Sequence, residues 1–249
     1  MYVLQQLING LSQGSIYALM AIGYTLIVGV VGLITFAYGE MVMIGAMSAY
    51  LFYTYVTPNF FLGLLVAFIS SGIAGIFIHK VAYERFLDAP KSIALLCTVG
   101  CSLLIKNLAQ IAFGSQGNAM PPAFETKPFY LFGTDLYITT IHMVVIAIVV
   151  VLAIGLSLFL YKTRVGLMLR AVSQDKMAAS LVAINVKKVT LIGNIVGTGL
   201  GGIAGLASAF GYELSTPTPN PAVCLALSFV CAFLAAAAGG LLYSFLTIT

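Results

Sequence analysis

Charge is what this sequence has least of. Only 7% of its 249 residues are Asp, Glu, Lys or Arg, while 61% are hydrophobic. A soluble domain carries about 25% charged residues. A water-soluble globule of this composition is excluded, because its polar residues could not cover its apolar surface. Lipid is the solvent that suits such a chain. The scarcity is also uneven. From Met1 to His79 the sole formal charge is Glu40, and residues 41–79, 136–161, 189–212 and 214–249 carry none. A membrane helix needs about 20 mostly apolar residues, and these stretches meet that requirement repeatedly.

Other absences narrow the function. No Gly-x-x-x-x-Gly-Lys-Ser/Thr motif is present, so nucleotide hydrolysis must come from a partner. No His-Glu-x-x-His is present either, and the two histidines, His79 and His142, lie near span ends. A membrane-embedded enzyme, which would need acids, bases or nucleophiles clustered on facing spans, is therefore the weaker class. Cys97 and Cys101 share a helical face, but no His or carboxylate joins them. With Cys224 and Cys231 they read as small buried hydrophobes, and no metal or cofactor is expected. The start of the chain lacks a basic segment followed by a small-residue cleavage site, so the first span is expected to act as its own insertion signal.

The expected fold class is all-α, a polytopic transmembrane helix bundle forming a single domain over residues 1–249. Spans are expected at roughly 7–33, 41–56, 60–79, 93–113, 138–161, 189–212 and 221–246. Gly32, Thr35 and Gly39 interrupt the first long run, and Thr57-Pro58-Asn59 makes a tight turn. Residues 114–137, rich in Gly and Pro, read as an irregular loop, and Thr216 to Pro221 cannot be helical. Basic residues concentrate in 80–91 (Lys80, Arg85, Lys91) and 162–188 (Lys162, Arg164, Arg170, Lys176, Lys187, Lys188). Loop 114–137 has only Lys127 against Glu125 and Asp135. By the positive-inside rule the first two are cytoplasmic and the third external. This places the N-terminus outside and the C-terminus inside. The basic clusters thus report orientation, and no nucleic acid is implied. Gly72-x-x-Gly75 and the run Gly193, Gly197, Gly201, Gly205 let helix backbones approach closely in lipid. That spacing suits packing within the bundle or a dimer contact equally.

The loop 162–188 is amphipathic and helix-forming. Asp175 is positioned to N-cap a short helix running through Leu181. Such a helix between spans lies on the membrane surface or docks in a partner's groove. Its pattern Arg164-x-Gly166-x-x-x-Arg170-Ala171-x-x-x-Asp175-x-x-x-Ala179-x-Leu181-x-x-Ile184-Asn185 resembles the cytoplasmic coupling loop of branched-chain amino-acid ABC transporter permeases of the LivH type. Further segments match in order. Asn9-Gly10, Gly14-Ser15 and Tyr17 to Thr25 resemble the first span, and Phe36-Ala37-Tyr38-Gly39-Glu40 with Met43-Ile44-Gly45 resembles the Asn-Phe-Ala-His-Gly-Glu box. Glu84-Arg85, Thr98-x-Gly100, Asn107-Leu108 and Phe113-Gly114-Ser115 follow. The resemblance covers about residues 5–212.

The resemblance implies a permease subunit of an inner-membrane importer of branched-chain amino acids. It would pair with a second related permease, two cytoplasmic ATP-binding subunits and an external substrate-binding protein, all within membrane lipid. Arg164, Gly166, Arg170, Ala171, Asp175, Ala179 and Asn185 would form the ATPase-coupling loop. Candidate residues for the translocation path are Tyr24, Tyr38, Glu40, Lys106, Asn107 and Asn194. Glu40 suits a helix start as well as it suits a functional carboxylate. Lys106 within a span is costly, by about 3 kcal/mol, and the family more often has Gln there. Tyr38 stands where the family has His, Thr35 where it has Asn, and Ala183 where it has Gly. If position 183 ends the coupling helix in a left-handed conformation, Ala costs about 1 kcal/mol there. Asp88-Ala89-Pro90 and Cys231 also depart from the pattern, and the family's last span is absent, which suggests a shortened or divergent product. Competing readings are a urea or short-amide permease of the same type, a sugar permease, and a truncated membrane protein that does not transport.

Overall fold

The computed structural model describes residues 2–32, 35–57, 59–84, 91–113, 128–130 and 137–212. The expected span 221–246 lies outside the described residues. The chain runs as α1 (Tyr2–Val31), α2 (Tyr38–Tyr55), α3 (Phe60–Ile78), α4 (Lys91–Phe113), α5 (Thr140–Lys162), α6 (Arg164–Gln174), α7 (Lys176–Leu181) and α8 (Val186–Tyr212). Among the described residues the one strand pairing is a short antiparallel pair, β1 (Pro128–Tyr130) with β2 (Tyr137–Thr139), in which Phe129 faces Ile138. It lies at the end of the expected irregular loop, and β2 leads straight into α5. The fold is thus the expected polytopic helix bundle.

Among the described residues five helices, α1, α3, α4, α5 and α8, are long and apolar enough to cross a membrane. Helix α2 fills the place expected for the second span, yet it is not among them. Tyr38, Glu40, Ser48, Tyr50, Tyr53, Thr54 and Tyr55 lower its hydropathy. Its packing explains the tolerance. Tyr38, Met41, Gly45, Ala49 and Tyr53 recur at helical spacing and are buried, so one whole stripe of α2 meets protein. Helix α3 runs past its expected end near residue 79 into a π-helical turn, His79–Tyr83, closed by the Glu84 N–H on the His79 carbonyl at 2.8 Å.

Helix α8 is the axis of the bundle, packed against α1, α2 and α3. In lipid, helices gain little from the hydrophobic effect and associate through close packing and hydrogen bonds. The glycines of α8 supply that closeness. A Cβ placed on Gly197 would lie 2.7 Å from the Gly23 carbonyl oxygen of α1, and one on Gly23 would lie 2.7 Å from the Gly197 oxygen. A Cβ on Gly202 would lie 2.5 Å from the Ala67 oxygen of α3, and one on Gly45 of α2 would run into the Gly202 backbone. Ser71, fully buried on α3, sits 2.6 Å from the Thr198 carbonyl and 3.0 Å from the Met41 carbonyl, so one hydroxyl serves α2, α3 and α8. The expected small-residue stripe is therefore used inside the bundle. Phe60, Tyr53 and Phe210 close the far end of this core, with Phe60 and Phe210 centroids 5.3 Å apart.

Candidate functional site

Residues 162–188 form a platform of two short helices at one end of the bundle. The chain leaves α5 through Thr163, an extended residue whose hydroxyl donates to the Phe159 carbonyl at 2.6 Å and accepts from the Gly166 N–H at 3.0 Å. That N-cap starts α6 within one residue of the end of α5. The turn is so tight that a Cβ on Gly166 would strike the Leu160 oxygen and lie 2.5 Å from the Phe159 oxygen. Both obstacles are backbone, so the position needs glycine. Arg164 beside it is exposed.

Arg170 lies one turn further along α6. Its guanidinium carbon sits 4.9 Å from the centroid of the Tyr161 ring, a cation–π contact that ties α6 to the end of α5. Its Nε is buried with no partner among the described residues. Ala171 ends the helix by offering its carbonyl to the Asp175 N–H at 3.2 Å. Asp175 then caps α7 as expected, its carboxylate accepting from Met177 N–H at 2.7 Å and Ala178 N–H at 3.2 Å. Ala179 is the buried residue of α7, and Asn185 N-caps α8 by accepting from the Lys188 N–H at 3.2 Å.

The exit from α7 is a Schellman motif. The Ile184 N–H reaches the Ala179 carbonyl and the Ala183 N–H the Ser180 carbonyl, both at 3.2 Å. Ala183 has φ +60°, so it does end the helix in the left-handed conformation, and it is the one non-glycine residue with positive φ among those described. Leu169, Val172 and Ala179 point inward with Val30 of α1 and Val189 of α8. Outward, Met177 is 80% and Leu181 86% exposed, beside the exposed Leu167 and Val182.

The six path candidates do not converge. Tyr38 is buried where α1 and α8 cross; its hydroxyl donates to the Met20 carbonyl at 2.9 Å. Its ring packs 5.4 Å from Tyr24 and over Gly201, where a Cβ would lie 2.7 Å from the hydroxyl. Asn194 is fully buried at the α3–α8 contact, its Nδ2 donating to the Gly75 carbonyl at 2.8 Å while Oδ1 has no partner among the described residues. That extra bond falls one turn before the π-helical segment, where the α-helical ladder gives way. Glu40, in the first turn of α2, accepts from the Ser102 hydroxyl of α4 at 3.1 Å. Lys106 and Asn107 lie on the exposed face of α4, with the Asn107 side chain turned back onto the Leu103 carbonyl at 2.8 Å.

Several residues that shape this region were not singled out in sequence. Thr163 is one, and its signal is an N-cap threonine three residues before Gly166. Lys176 is another, and Gly32 was read only as a break in the first long run: it has φ +71° and directly follows Val31, the last residue of α1, as a helix-ending glycine does. His79 and Tyr83, rings 5.7 Å apart, are buried in the π-helical turn, the His79 Nδ1 without a partner among the described residues. No sequence rule announces a π turn. No group of three or more His, Cys, Asp or Glu able to hold a metal occurs among the described residues. Cys97 and Cys101 are free thiols, partly buried against the α1–α2–α3 core.

The chain is similar to known proteins over most of its length. It is 30% identical to the high-affinity branched-chain amino acid transport system permease protein LivH of Salmonella typhimurium, over 229 residues covering 87% of this chain and 74% of LivH. It is 30% identical to the corresponding BraD of Pseudomonas aeruginosa, over 252 residues covering 96% of this chain and 80% of BraD. A probable branched-chain amino acid transport permease protein LivH of Methanocaldococcus jannaschii is 28% identical over 240 residues, covering 91% and 71%. No solved structure matches the chain with significance. The family described as the permease component of branched-chain amino acid transport systems matches residues 6–224. That span takes in α2 to α8, with the capped α6–α7 platform, and all of α1 but its first turn, and the chain belongs to this multi-pass membrane family of permease components.

Proposed function

We propose that this chain is the membrane-spanning permease subunit of an ATP-driven importer of branched-chain amino acids in the cytoplasmic membrane. One permease domain spans residues 1–249, with its N-terminus outside and residues 162–188 in the cytoplasm. A second related permease completes the pathway, an external binding protein delivers substrate, and two ATP-binding subunits supply the energy. The observation that carries this reading is the α6–α7 platform. It is anchored inward by Leu169, Val172 and Ala179 against α1 and α8, and it turns Leu167, Met177, Leu181 and Val182 outward. A firmly seated helix pair with an exposed apolar edge suits insertion into a partner's groove. Closure of the ATP-binding subunits would then move α1 and α8 as a two-state element. Arg170, stacked on Tyr161, and the caps Asp175 and Asn185 would keep the platform rigid enough to transmit that motion.

The test is co-purification in mild detergent after co-expression with the neighbouring genes, followed by ATP-dependent uptake of radiolabelled leucine into proteoliposomes. Recovery of a second permease and two ATP-binding subunits, with leucine uptake, is the expected result. An inserted, intact chain that recovers no ATP-binding subunit would sink the importer reading. A complex that takes up urea or short amides in place of leucine would move the substrate assignment.

A further inference from the structure

Helix α1 ends on Gly32, whose N–H bonds the Val28 carbonyl at 2.8 Å with φ +71°. This is a left-handed cap, and it leaves later carbonyls of α1 without helical partners. Lys176, the first residue of α7, donates its ammonium to one of them, the Val31 carbonyl. The contact is specific. A Cβ on Gly32 would lie 3.1 Å from the Lys176 Nζ, so the glycine also keeps the space that the ammonium occupies. A cation at a helix C-terminus is stabilised by the macrodipole as well as by the hydrogen bond. Lys176 is held in register by Asp175, whose carboxylate caps the same short helix. Beside this polar contact, Val30 packs on Leu169 and Val172 in one apolar cluster. Further up α1, Gly23 meets Gly197 of α8 in a close backbone approach.

We propose that Lys176 is a positioning residue of the transport cycle: it latches α7 to the C-terminus of α1, so that displacement of the platform is passed to α1 and through the Gly23–Gly197 crossing to α8. The inference rests on the importer reading above. Val30 alone is a sliding apolar contact, whereas the ammonium on a cap carbonyl is directional and resists separation of the two elements. Lys176→Arg keeps a cation and donors at this place, and Lys176→Met keeps the stem and removes the charge.

The experiment uses the complete transporter, both permeases with the ATP-binding subunits and binding protein, in proteoliposomes. ATP hydrolysis and leucine uptake are measured on the same vesicles. The expected result for Lys176→Met is a normal yield of complex and retained hydrolysis, with leucine moved per ATP reduced by about tenfold, within the usual range of coupling between sites. Lys176→Arg should restore most of that ratio. A merely structural role would lower yield, hydrolysis and uptake together and leave the ratio unchanged, and that outcome overturns the latch. So does an unchanged ratio in Lys176→Met at full yield. Failure of the wild-type chain to assemble with ATP-binding subunits would instead strike the importer reading.

Discussion

Helices α4 and α8 have comparable apolar length, yet the bundle treats them in opposite ways. Helix α8 is almost wholly enclosed and crosses α1, α2 and α3 through glycines with backbone against backbone. Helix α4 touches α2 and the π-helical turn along one edge, and Leu96, Leu103, Leu104, Leu108 and Ile111 stay exposed. Hydropathy alone would rank the two together, since both qualify as spans. Side-chain size separates them. Helices in lipid are held by how closely they approach, so the helix with small residues on several faces becomes the axis, and the one with leucines all round becomes the rim.

The sharpest way to break this contrast is to add bulk to each helix in turn. Gly202→Val would drive a branched side chain into the Ala67 carbonyl and Ser71 of α3. It should cost about 3 kcal/mol or more, the upper end of overpacking penalties. Gly100→Val on α4 meets nothing within 4 Å and should cost less than about 0.5 kcal/mol. Unfolding midpoints in dodecyl maltoside compare them, and equal shifts would show that α8 is not the axis. Gly166→Ala carries the same logic to the platform. Its methyl group meets two α5 carbonyls that cannot give way, so α6 should lift from α5 at a cost of about 1–3 kcal/mol. Faster amide hydrogen exchange confined to α6 and α7 is the expected signature; unchanged protection would place the α5–α6 turn elsewhere.

Smaller effects sharpen the picture. Ala183→Gly should stabilise α7 by up to about 1 kcal/mol, because it removes a left-handed Cβ penalty of about 1–2 kcal/mol while adding some unfolded-state freedom. Slower exchange in α7 would register it, and faster exchange would contradict the Schellman geometry. Asn194→Ala removes the bond to the Gly75 carbonyl but also an oxygen that has no partner among the described residues. The expected loss is about 0.6 kcal/mol, the usual worth of such a bond between membrane helices. A loss of several kcal/mol would mean that Asn194 does more than join α3 to α8.

One part of the platform was legible from local backbone rules. Asp175 as a cap and a short helix through Leu181 follow from them, and the structure has both, while a left-handed Ala183 was only a condition and the Thr163 cap was not read. The path candidates fared differently. Polarity in an apolar span marks a residue as notable, but it does not say which neighbour uses it. Tyr38 spends its hydroxyl on α1, Asn194 its amide on α3, and Glu40 accepts from Ser102, while Lys106 faces outward from α4. Lys176 was hidden for the opposite reason, because a lysine in a basic loop looks like one charge among several until the end of α1 is placed beside it.

By itself the sequence determined that this chain lives in a membrane, where most of its described helices run and that Asp175 caps a short helix. Transfer free energy into lipid and capping both act over short stretches of one chain, so their preferences can be read from composition and spacing. Only the tertiary structure decided that the glycine stripe of α8 serves the interior, that α2 can be polar because its stripe is covered, and that α7 is tied to α1. Those outcomes depend on which helix faces meet, and close contact between residues far apart in sequence has no local signature.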